Sequence, residues 1–409
     1  MSRAFLVVMD SVGIGGAPDA DKFFNGAHSD AGANTIAHIA AACAEGRANK
    51  GRRGPLHLPY LDALGLGAAC RLASGAPTPG LEAHATGAWG AARAQAIGKD
   101  THTGHWELAG LVVPWQWHYF PRQPPVFPHD LVRQVCAAAQ TSDILGNCHA
   151  SGTAIVQQLG EMHIETGFPI CYTSADSVFQ IAAHEHHFGL QRLLTLCETL
   201  APILHHRKVG RVIARPFVGD ADSGFHRTKN RRDFALPPPG PLLTNWVQHA
   251  GGHVYGLGKI GDIFSMQGID TWRKGSDAEL MTHLHDLAET AAEGSLIFAN
   301  FVEFDTLYGH PRDPCGYARA LEWFDTEIGA VMARLREGDL LLITADHGND
   351  PTWEGSDHTR EQVPVLCAGV GARQLGGLRF IDVGASVAHH LGCAVQGPGR
   401  SFLASRGTP

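Results

Sequence analysis

Three separate segments of the chain have the same form, an apolar run that ends in an acidic residue. AFLVVMD ends at Asp10, SLIFANFVEFD ends at Asp305, and DLLLITADHG carries Asp346. Near-continuous apolar runs bounded by polar residues or glycine are typical of strands buried on both faces. Helix-like stretches such as YARALEWFDTEIGAVMARLREG lie between them, with apolar residues at helical spacing. This alternation predicts an α/β fold whose parallel-rich sheet is covered by helices.

The three acidic residues that end these runs define a candidate site. In an open parallel sheet, ligands bind outside the carboxyl ends of the strands. Asp10, Asp305 and Asp346 each stand at the end of a predicted strand. We therefore expect the three carboxylates to meet at one edge of the sheet.

Proline-rich and aromatic-rich segments divide the chain. Its 409 residues, 44% of them hydrophobic, exceed the usual size of one domain. The segments 112–128 and 236–243 break any regular element and bound a stretch with its own strand-like and helix-like patterns. The sequence predicts an inserted domain over 116–236 and a core made of 1–115 and 237–409. The alternative is one large domain with proline-rich surface loops.

Composition and charge exclude several classes of protein. The formal net charge is −8 and no long lysine and arginine run occurs, so we expect no nucleic-acid partner. Nine scattered cysteines without a CxxC pair are typical of reduced thiols in a cytoplasmic protein. The first apolar run is short and ends in Asp10, which indicates a strand and not an export signal. No apolar run has the length of a membrane span, and no pattern indicates an oligomeric state.

Carboxylates and histidines recur at metal-ligand spacing near the predicted strand ends. The candidates are Asp10, Asp305, His310, Asp346, His347 and His358. Taken singly, an aspartate after a strand is more often a helix cap than a metal ligand. A single histidine is likewise more often a solvated side chain than a metal ligand. Together, carboxylate oxygens and imidazole nitrogens suit Zn, Mn, Fe or Mg. Three of each kind exceed the needs of one tetrahedral ion, so the sequence predicts two metal ions that share these ligands.

A two-metal site of this kind typically serves phosphoryl displacement, which needs a nucleophile. GKDTHTGHWE, residues 98–107, supplies two candidates, Thr101 and Thr103. A threonine hydroxyl is weakly nucleophilic at neutral pH and must be activated, for instance by a metal ion. The flanking glycines allow backbone N–H groups to approach phosphate oxygens. The alternative interpretation is a turn with local hydroxyl–backbone bonds.

These residues resemble those of the alkaline phosphatase superfamily of metalloenzymes, and more closely the bacterial phosphopentomutases. The resemblance runs nearly end to end. It is carried by FLVVMDSVGIGGAPDA, GKDTHTGHWELAG, ASGTAIVQQLGEMHIETGFPICYTSADSVFQIAAHE, GRVIARPFVG, FHRTKNRRDFALPPP, GLGKIGDIF and EFDTLYGHPRD. It implies an alkaline-phosphatase-like core with a smaller inserted α/β cap domain.

The resemblance also implies roles for the candidate residues. The nucleophile would be Thr101, phosphorylated in the active enzyme, and the metals would be two Mn²⁺ ions. One ion would be held by Asp305, His310 and His358. The other would be held by Asp10, Asp346, His347 and the Thr101 oxygen. Sugar-phosphate contacts would come from Ser174, Asp176, Val178 and Arg215 of the cap and from Lys259 of the core.

The activity implied is that of an isomerase acting on a small sugar phosphate. Ribose 1-phosphate would interconvert with ribose 5-phosphate through a bisphosphate intermediate. The two corresponding deoxyribose phosphates would interconvert in the same way. Glucose 1,6-bisphosphate or a similar sugar bisphosphate would prime the threonine. The nearest alternative is a phosphatase or phosphodiesterase with the same metal core. A further alternative, from another class, is an inactive protein that senses sugar phosphates.

Overall fold

The computed structural model describes residues 2–174 and 177–403. The chain splits into two compact units. We call Met1–Pro114 together with Pro238–Pro409 the core unit, and Trp115–Pro237 the inserted unit. The predicted inserted segment, 116–236, falls within the second of these. Its action as a cap stays a prediction.

The strands of the described residues are β1 Ala4–Met9, β2 Phe24–Asn25, β3 His28–Ser29, β4 Ala88–Arg93, β5 Leu145–His149, β6 Ile170–Thr173, β7 Val178–His184, β8 Arg211–Asp220, β9 Gly224–Arg227, β10 Arg232–Ala235, β11 Val254–Leu257, β12 Thr271–Arg273, β13 Leu296–Phe301, β14 Leu340–Thr344, β15 Val363–Ala368 and β16 Arg373–Arg379. The α-helices are α1 Thr35–Ala44, α2 Pro59–Leu64, α3 Leu66–Ser74, α4 Thr101–Leu108, α5 His129–Ala139, α6 Gly152–Thr166, α7 Leu190–His206, α8 Leu243–His249, α9 Ile260–Ile263, α10 Asp277–Thr290, α11 Pro314–Met332 and α12 Phe380–His390.

The core unit is built on an eight-stranded sheet with the order β12-β11-β13-β1-β14-β15-β4-β16. Its centre consists of the three apolar runs singled out above. β1 pairs in parallel with both neighbours, so that Val7 lies opposite Ala299 of β13 and Ile343 of β14. Every residue of these three strands is buried. The α/β fold with a parallel-rich sheet is therefore confirmed.

One strand of this sheet departs from the parallel pattern. β15 runs antiparallel to both β14 and β4. A parallel crossover needs a long connection, usually a helix, to return the chain to the same edge. The connection over 345–362 contains no helix, and the chain returns directly along β14. That connection carries Asp346, His347 and His358.

Helices form two groups that pack among themselves. α12 contacts α4 and α8, whereas α11 contacts α1, α2 and α10. Because the central strands are buried on both faces, one group covers each face. No helix of the described residues is long and apolar enough to cross a membrane.

The inserted unit has its own mixed sheet, in the order β10-β8-β7-β6-β5 with β9 paired to β8. Two apolar clusters pack against it. One contains Leu131 and Leu200 of α5 and α7, and the other contains Ile155 of α6 with Phe217. This unit therefore possesses a complete α/β core.

Candidate metal centre

The carboxyl ends of β1 and β14 bring the first group of candidate ligands together. Asp10, Asp346 and His347 are buried, and one ligand atom of each lies within 4.8 Å of the others. The Nε2 atom of His347 is 3.2 Å from Oδ2 of Asp346 and 3.5 Å from Oδ1 of Asp10. Because β1 and β14 are adjacent and parallel, their ends meet at the same edge, as the sequence predicts.

A second group lies beside the first. Asp305, His347 and His358 also offer ligand atoms within 4.8 Å of one another. Nε2 of His358 is 3.4 Å from Oδ1 of Asp305, and its ring stacks on His347 with centroids 3.9 Å apart. His310 joins from the side, with Nε2 at 3.2 Å from Oδ2 of Asp305. His347 thus belongs to both groups, and the assignment of each residue to one ion stays a prediction.

Three of the candidate ligand atoms have no hydrogen-bond partner although they are buried. They are Oδ1 of Asp10, Oδ2 of Asp346 and Nε2 of His358. Buried polar atoms normally form hydrogen bonds, because leaving one unpaired costs free energy. Divalent cations bound in the two ligand groups would satisfy all three atoms, and carboxylates and imidazoles are suitable ligands for such ions. The residues present therefore fit a metal site.

Neighbouring charges shift the pKa values of the buried residues in this site. Burial, together with the charges of Asp346 and Asp305, raises the pKa of Asp10 to about 6. Burial lowers the pKa of His347, but Asp346, Asp10 and Asp305 outweigh burial and raise this pKa to about 10. Burial raises the pKa of Asp346 too, but the charges of His347 and His105 hold it well below its usual range. Without metal, a proton on His347 therefore balances part of the negative charge.

The same kind of hydrogen bond orients all three histidine rings. The Nδ1 atom of each lies close to a backbone carbonyl: Lys99 at 2.7 Å for His358, Ser356 at 2.6 Å for His310 and Gly348 at 3.1 Å for His347. A carbonyl only accepts, so Nδ1 carries the hydrogen and donates it. In the neutral ring Nε2 then keeps its lone pair, which is the state that a metal ligand requires.

Thr101 and Thr103 occupy different environments at the start of α4. The carboxylate of Asp100 caps the helix, accepting a hydrogen bond from the backbone N–H of Thr103 (3.0 Å) and another from its hydroxyl (2.6 Å). The Thr101 hydroxyl is 3.2 Å from Nε2 of His347. The structure thus brings Thr101, and not Thr103, to the first ligand group.

His105 and Asn300 support the candidate ligands, and neither was predicted from the sequence. Nδ1 of His105 is 2.9 Å from the carbonyl of Thr101 and 3.1 Å from Oδ2 of Asp346. The Asn300 amide donates to Oδ2 of Asp10 at 2.9 Å. The sequence contained a signal for the supporting role of His105, since this residue stands four residues after Thr101 on the same helix face. For Asn300 the sequence contained no such signal, because this residue lies within the apolar strand β13.

A second supporting pair, Asn349 and Arg312, fixes the loops around Asp305. The Asn349 amide donates to Oδ1 of Asp305 at 2.7 Å. Arg312 donates to the side chain of Asn349 and to the carbonyls of Gly355 (2.7 Å) and Asp357 (2.9 Å). The two residues therefore connect the loop of Asp305 to the segment that precedes His358.

The predicted sugar-phosphate contacts lie in both units. Ser174 follows β6, Val178 begins β7, and Arg215 lies on β8, where its Nε donates to Gln180 at 2.9 Å. Asp176 lies outside the described residues. Lys259, the N-cap of α9, belongs to the core unit, and its charge partly offsets the raised pKa of Asp10.

Known proteins match this chain over nearly its whole length. The sequence model described as the Metalloenzyme superfamily matches residues 2–395. A protein of Chelativorans sp. (strain BNC1) named Phosphopentomutase is 53% identical over 410 residues, covering 98% of each chain. A protein of Agrobacterium fabrum with the same name is 51% identical, covering 98% of this chain and all of its own.

Solved structures of low sequence identity also align over most of the chain. Phosphoglycerate mutase of Leishmania mexicana gives a TM-score of 0.48 at 13% identity, covering 98% of this chain and 97% of its own. The PH0037 protein of Pyrococcus horikoshii gives 0.46 at 13% identity, covering 97% and 98%. Superfamily membership and the two ligand groups support the use of divalent metal by this chain. On the extent and identity of its matches, the chain belongs to the phosphopentomutase family of the metalloenzyme superfamily.

Proposed function

We propose that this chain interconverts ribose 1-phosphate and ribose 5-phosphate, and the corresponding deoxyribose phosphates, as a metal-dependent isomerase. Family membership supports the reaction type, since curated relatives that cover nearly the whole chain are named for it. The single observation that carries the proposal is the position of the Thr101 hydroxyl, 3.2 Å from Nε2 of His347 in the first ligand group.

Thr101 is the group that we propose to carry the phosphoryl. It is the first residue of α4, so its phosphate would lie at a helix N-terminus, where backbone N–H groups and the helix dipole favour an anion. Phospho-Thr101 gives its phosphoryl group to the free hydroxyl of a pentose monophosphate, which forms a bisphosphate. Thr101 then takes back the other phosphoryl group and releases the isomeric monophosphate.

Two divalent cations, which we propose to be Mn²⁺, would be held by the buried ligands. Asp305, His310 and His358 would hold one, and Asp10, Asp346, His347 and the Thr101 oxygen the other. When bound, they would neutralise charge on the transferring phosphoryl and lower the pKa of the threonine hydroxyl. The protein contributes fixed ligands: Asn300 holds Asp10, and Asn349 holds Asp305.

The substrate is a small anionic sugar, and the proposed contacts match that chemistry. Arg215 offers a planar fork to phosphate and Lys259 a point charge. Ser174, Asp176 and Val178 would contact the sugar phosphate as well. A chain that has lost its phosphoryl group needs a donor, for which we propose glucose 1,6-bisphosphate or a similar bisphosphate. We place this metabolic reaction in the cytoplasm.

A phosphorus NMR time course tests the reaction. The protein is mixed with Mn²⁺, a trace of glucose 1,6-bisphosphate and ribose 1-phosphate, and the Thr101→Val variant serves as the control. We expect a ribose 5-phosphate signal to grow with the wild type and not with the variant. Growth of inorganic phosphate instead would mean that water accepts the phosphoryl group, and the phosphatase alternative would then hold.

A further inference from the structure

Ser11, the residue after the candidate ligand Asp10, has a left-handed backbone conformation. Its φ is 71°, in a region that residues with a side chain rarely adopt. The N–H of Val12 donates to the carbonyl of Met9 at 3.1 Å, so Ser11 is the third residue of a tight turn that follows β1. A turn with a positive φ at its third residue usually has glycine or asparagine there. Because serine is strained at this position, other contacts must hold its conformation.

The two polar backbone groups of Ser11 face the two ligand groups. Its N–H donates to Oδ1 of Asp346, in the first group, at 3.1 Å. Its carbonyl accepts a hydrogen bond from the backbone N–H of Asn349 at 3.1 Å, and the Asn349 amide donates to Asp305 of the second group. Since peptide planes are rigid, the φ and ψ of Ser11 set how its N–H and its carbonyl face each other. Both hydrogen bonds therefore depend on the conformation of Ser11.

The hydroxyl of Ser11 is bonded to a tyrosine from a distant part of the chain. Oγ of Ser11 and Oη of Tyr317 are 3.0 Å apart, and both residues are fully buried. Tyr317 lies on α11, and its ring packs on Phe304, the residue before Asp305, with ring centroids 5.7 Å apart. Because both hydroxyls are shielded from water, removal of one leaves the other without a replacement partner. Tyr317 therefore restricts the turn that contains Ser11.

Ser11 differs from the asparagines that also support the candidate ligands. Asn300 donates to Asp10, and Asn349 donates to Asp305, so each holds one carboxylate directly. Ser11 bonds directly to Asp346 and reaches Asp305 through Asn349. A change in the conformation of Ser11 should therefore disturb both ligand groups together.

We propose that Ser11, held in its left-handed conformation by Tyr317, is a positioning residue that links the two ligand groups, so that loss of this conformation weakens Mn²⁺ binding in both. This inference rests on the two-ion site of the proposed function. It adds two residues that the proposed function does not use, and neither is a proposed ligand. A serine that only fills space would affect stability and would not link the affinities of the two ions.

The test is a calorimetric titration with Mn²⁺ of the full chain, freed of metal beforehand with a chelator. Tyr317→Phe keeps the ring and removes its hydroxyl. Ser11→Ala removes the other hydroxyl and keeps a side chain at a positive φ, whereas Ser11→Gly relieves the strain. The matched control is Ser295, a second fully buried serine of the core unit, which does not share the positive φ. Its Oγ has no hydrogen-bond partner among the described residues.

We expect Tyr317→Phe and Ser11→Ala each to weaken the binding of both ions about tenfold, as is typical when a residue that orients metal ligands is changed. The double variant should lose no more than either single variant, because the two changes remove the same hydrogen bond. Ser11→Gly should bind Mn²⁺ more tightly than Ser11→Ala, since glycine adopts a positive φ without strain. Ser295→Ala and Ser295→Gly should both bind like the wild type.

Two further measurements separate positioning from stability. Urea unfolding of the metal-free variants measures their stability, and at the control position Ser295→Gly should be less stable than Ser295→Ala, because glycine loses more conformational freedom on folding. The electron paramagnetic resonance spectrum of Mn²⁺ bound at saturation reports the ligands around the ion. It should change in Tyr317→Phe and stay like that of the wild type in Ser295→Ala. Circular dichroism verifies that each variant is folded.

Several outcomes would overturn the linkage. They are no Mn²⁺ binding by the wild type, wild-type affinity in both Tyr317→Phe and Ser11→Ala, a loss confined to one ion, an equal loss in Ser295→Ala, or tighter binding by Ser11→Ala than by Ser11→Gly. The titration involves no turnover, so it is separate from the reaction. A chain whose variants bind Mn²⁺ as expected but which shows no isomerase activity contradicts the reaction alone. A fully active chain whose variants keep the wild-type affinity contradicts the linkage alone.

Discussion

Thr101 and Thr103 are identical side chains two residues apart, and their neighbours give them different roles. The Thr103 hydroxyl is bonded to Asp100, whereas the Thr101 hydroxyl faces His347. We predict that Thr101→Val abolishes isomerisation and leaves the melting temperature nearly unchanged. Thr103→Val should keep the activity and lose about 1 kcal/mol of stability with its hydrogen bond. Kinetic assays and thermal melts of the two variants verify this, and the opposite pattern would make Thr103 the nucleophile.

Metal affinity should rise with pH because protons occupy the site when metal is absent. With the pKa of His347 raised to about 10 and that of Asp10 to about 6, the metal-free site at pH 7.5 carries close to one proton that metal must displace. We predict release of about one proton per site near pH 7.5, and of more than one once the pH falls below about 6. Mn²⁺ titrations in buffers of different ionisation enthalpy measure this number, and zero release at pH 7.5 would contradict the assignment of His347.

At this scale the sequence predicted which candidate ligands come together better than it predicted the residues that support them. Asp10, Asp305 and Asp346 end apolar strands, so their meeting at one edge follows from the pattern of a parallel sheet. The contact of His358 with the carbonyl of Lys99 joins residues far apart in the chain, and a carbonyl leaves no mark in the sequence. Such contacts depend on how the loops pack, which residue types alone do not specify.

At the scale of elements, α4 lies close to the loop that carries Asp346, and Gly104 permits this approach. A Cβ at Gly104 would lie 2.2 Å from the backbone oxygen of Asp346. We predict that Gly104→Ala destabilises the protein by about 1–3 kcal/mol and weakens Mn²⁺ binding, because one of the two backbones must move.

A matched glycine provides the control for that variant. At Gly377 of β16 a Cβ would meet nothing within 4 Å. Gly377→Ala should therefore leave both the melting temperature and the Mn²⁺ affinity near their wild-type values. If Gly104→Ala behaves in the same way, the close packing of α4 against the Asp346 loop is not important for the site.

The central strands could be predicted because each is a long apolar run. The direction of β15 could not, since VPVLCA is equally compatible with a parallel or an antiparallel neighbour. Its direction follows from the 345–362 connection, which holds ligands instead of a helix. The loop that carries the candidate ligands thus determines the direction of β15, which the periodicity of the sequence does not predict.

At the scale of the whole molecule, all seven proposed metal ligands lie in one compact unit. The core unit is interrupted after Pro114 and resumes at Pro238. Both residues lie within the proline-rich segments from which an inserted domain was predicted. Since the proposed ligands come together only in the folded core unit, we predict that Mn²⁺ at about 100 times its dissociation constant adds about 2.7 kcal/mol to the stability of that unit. Scanning calorimetry with Mn²⁺ and with chelator measures the shift, and an unchanged core transition would contradict a metal site there.

We propose that the metal-dependent site transfers a phosphoryl group through Thr101. The most direct measurement is mass spectrometry of the protein after incubation with Mn²⁺ and glucose 1,6-bisphosphate, with fragmentation of the peptide that contains both threonines. We predict one phosphoryl group on Thr101, absent from Thr101→Val and from chain treated with chelator. A phosphoryl group on Thr103, or none on the wild-type chain while it isomerises ribose phosphates, would contradict transfer through Thr101.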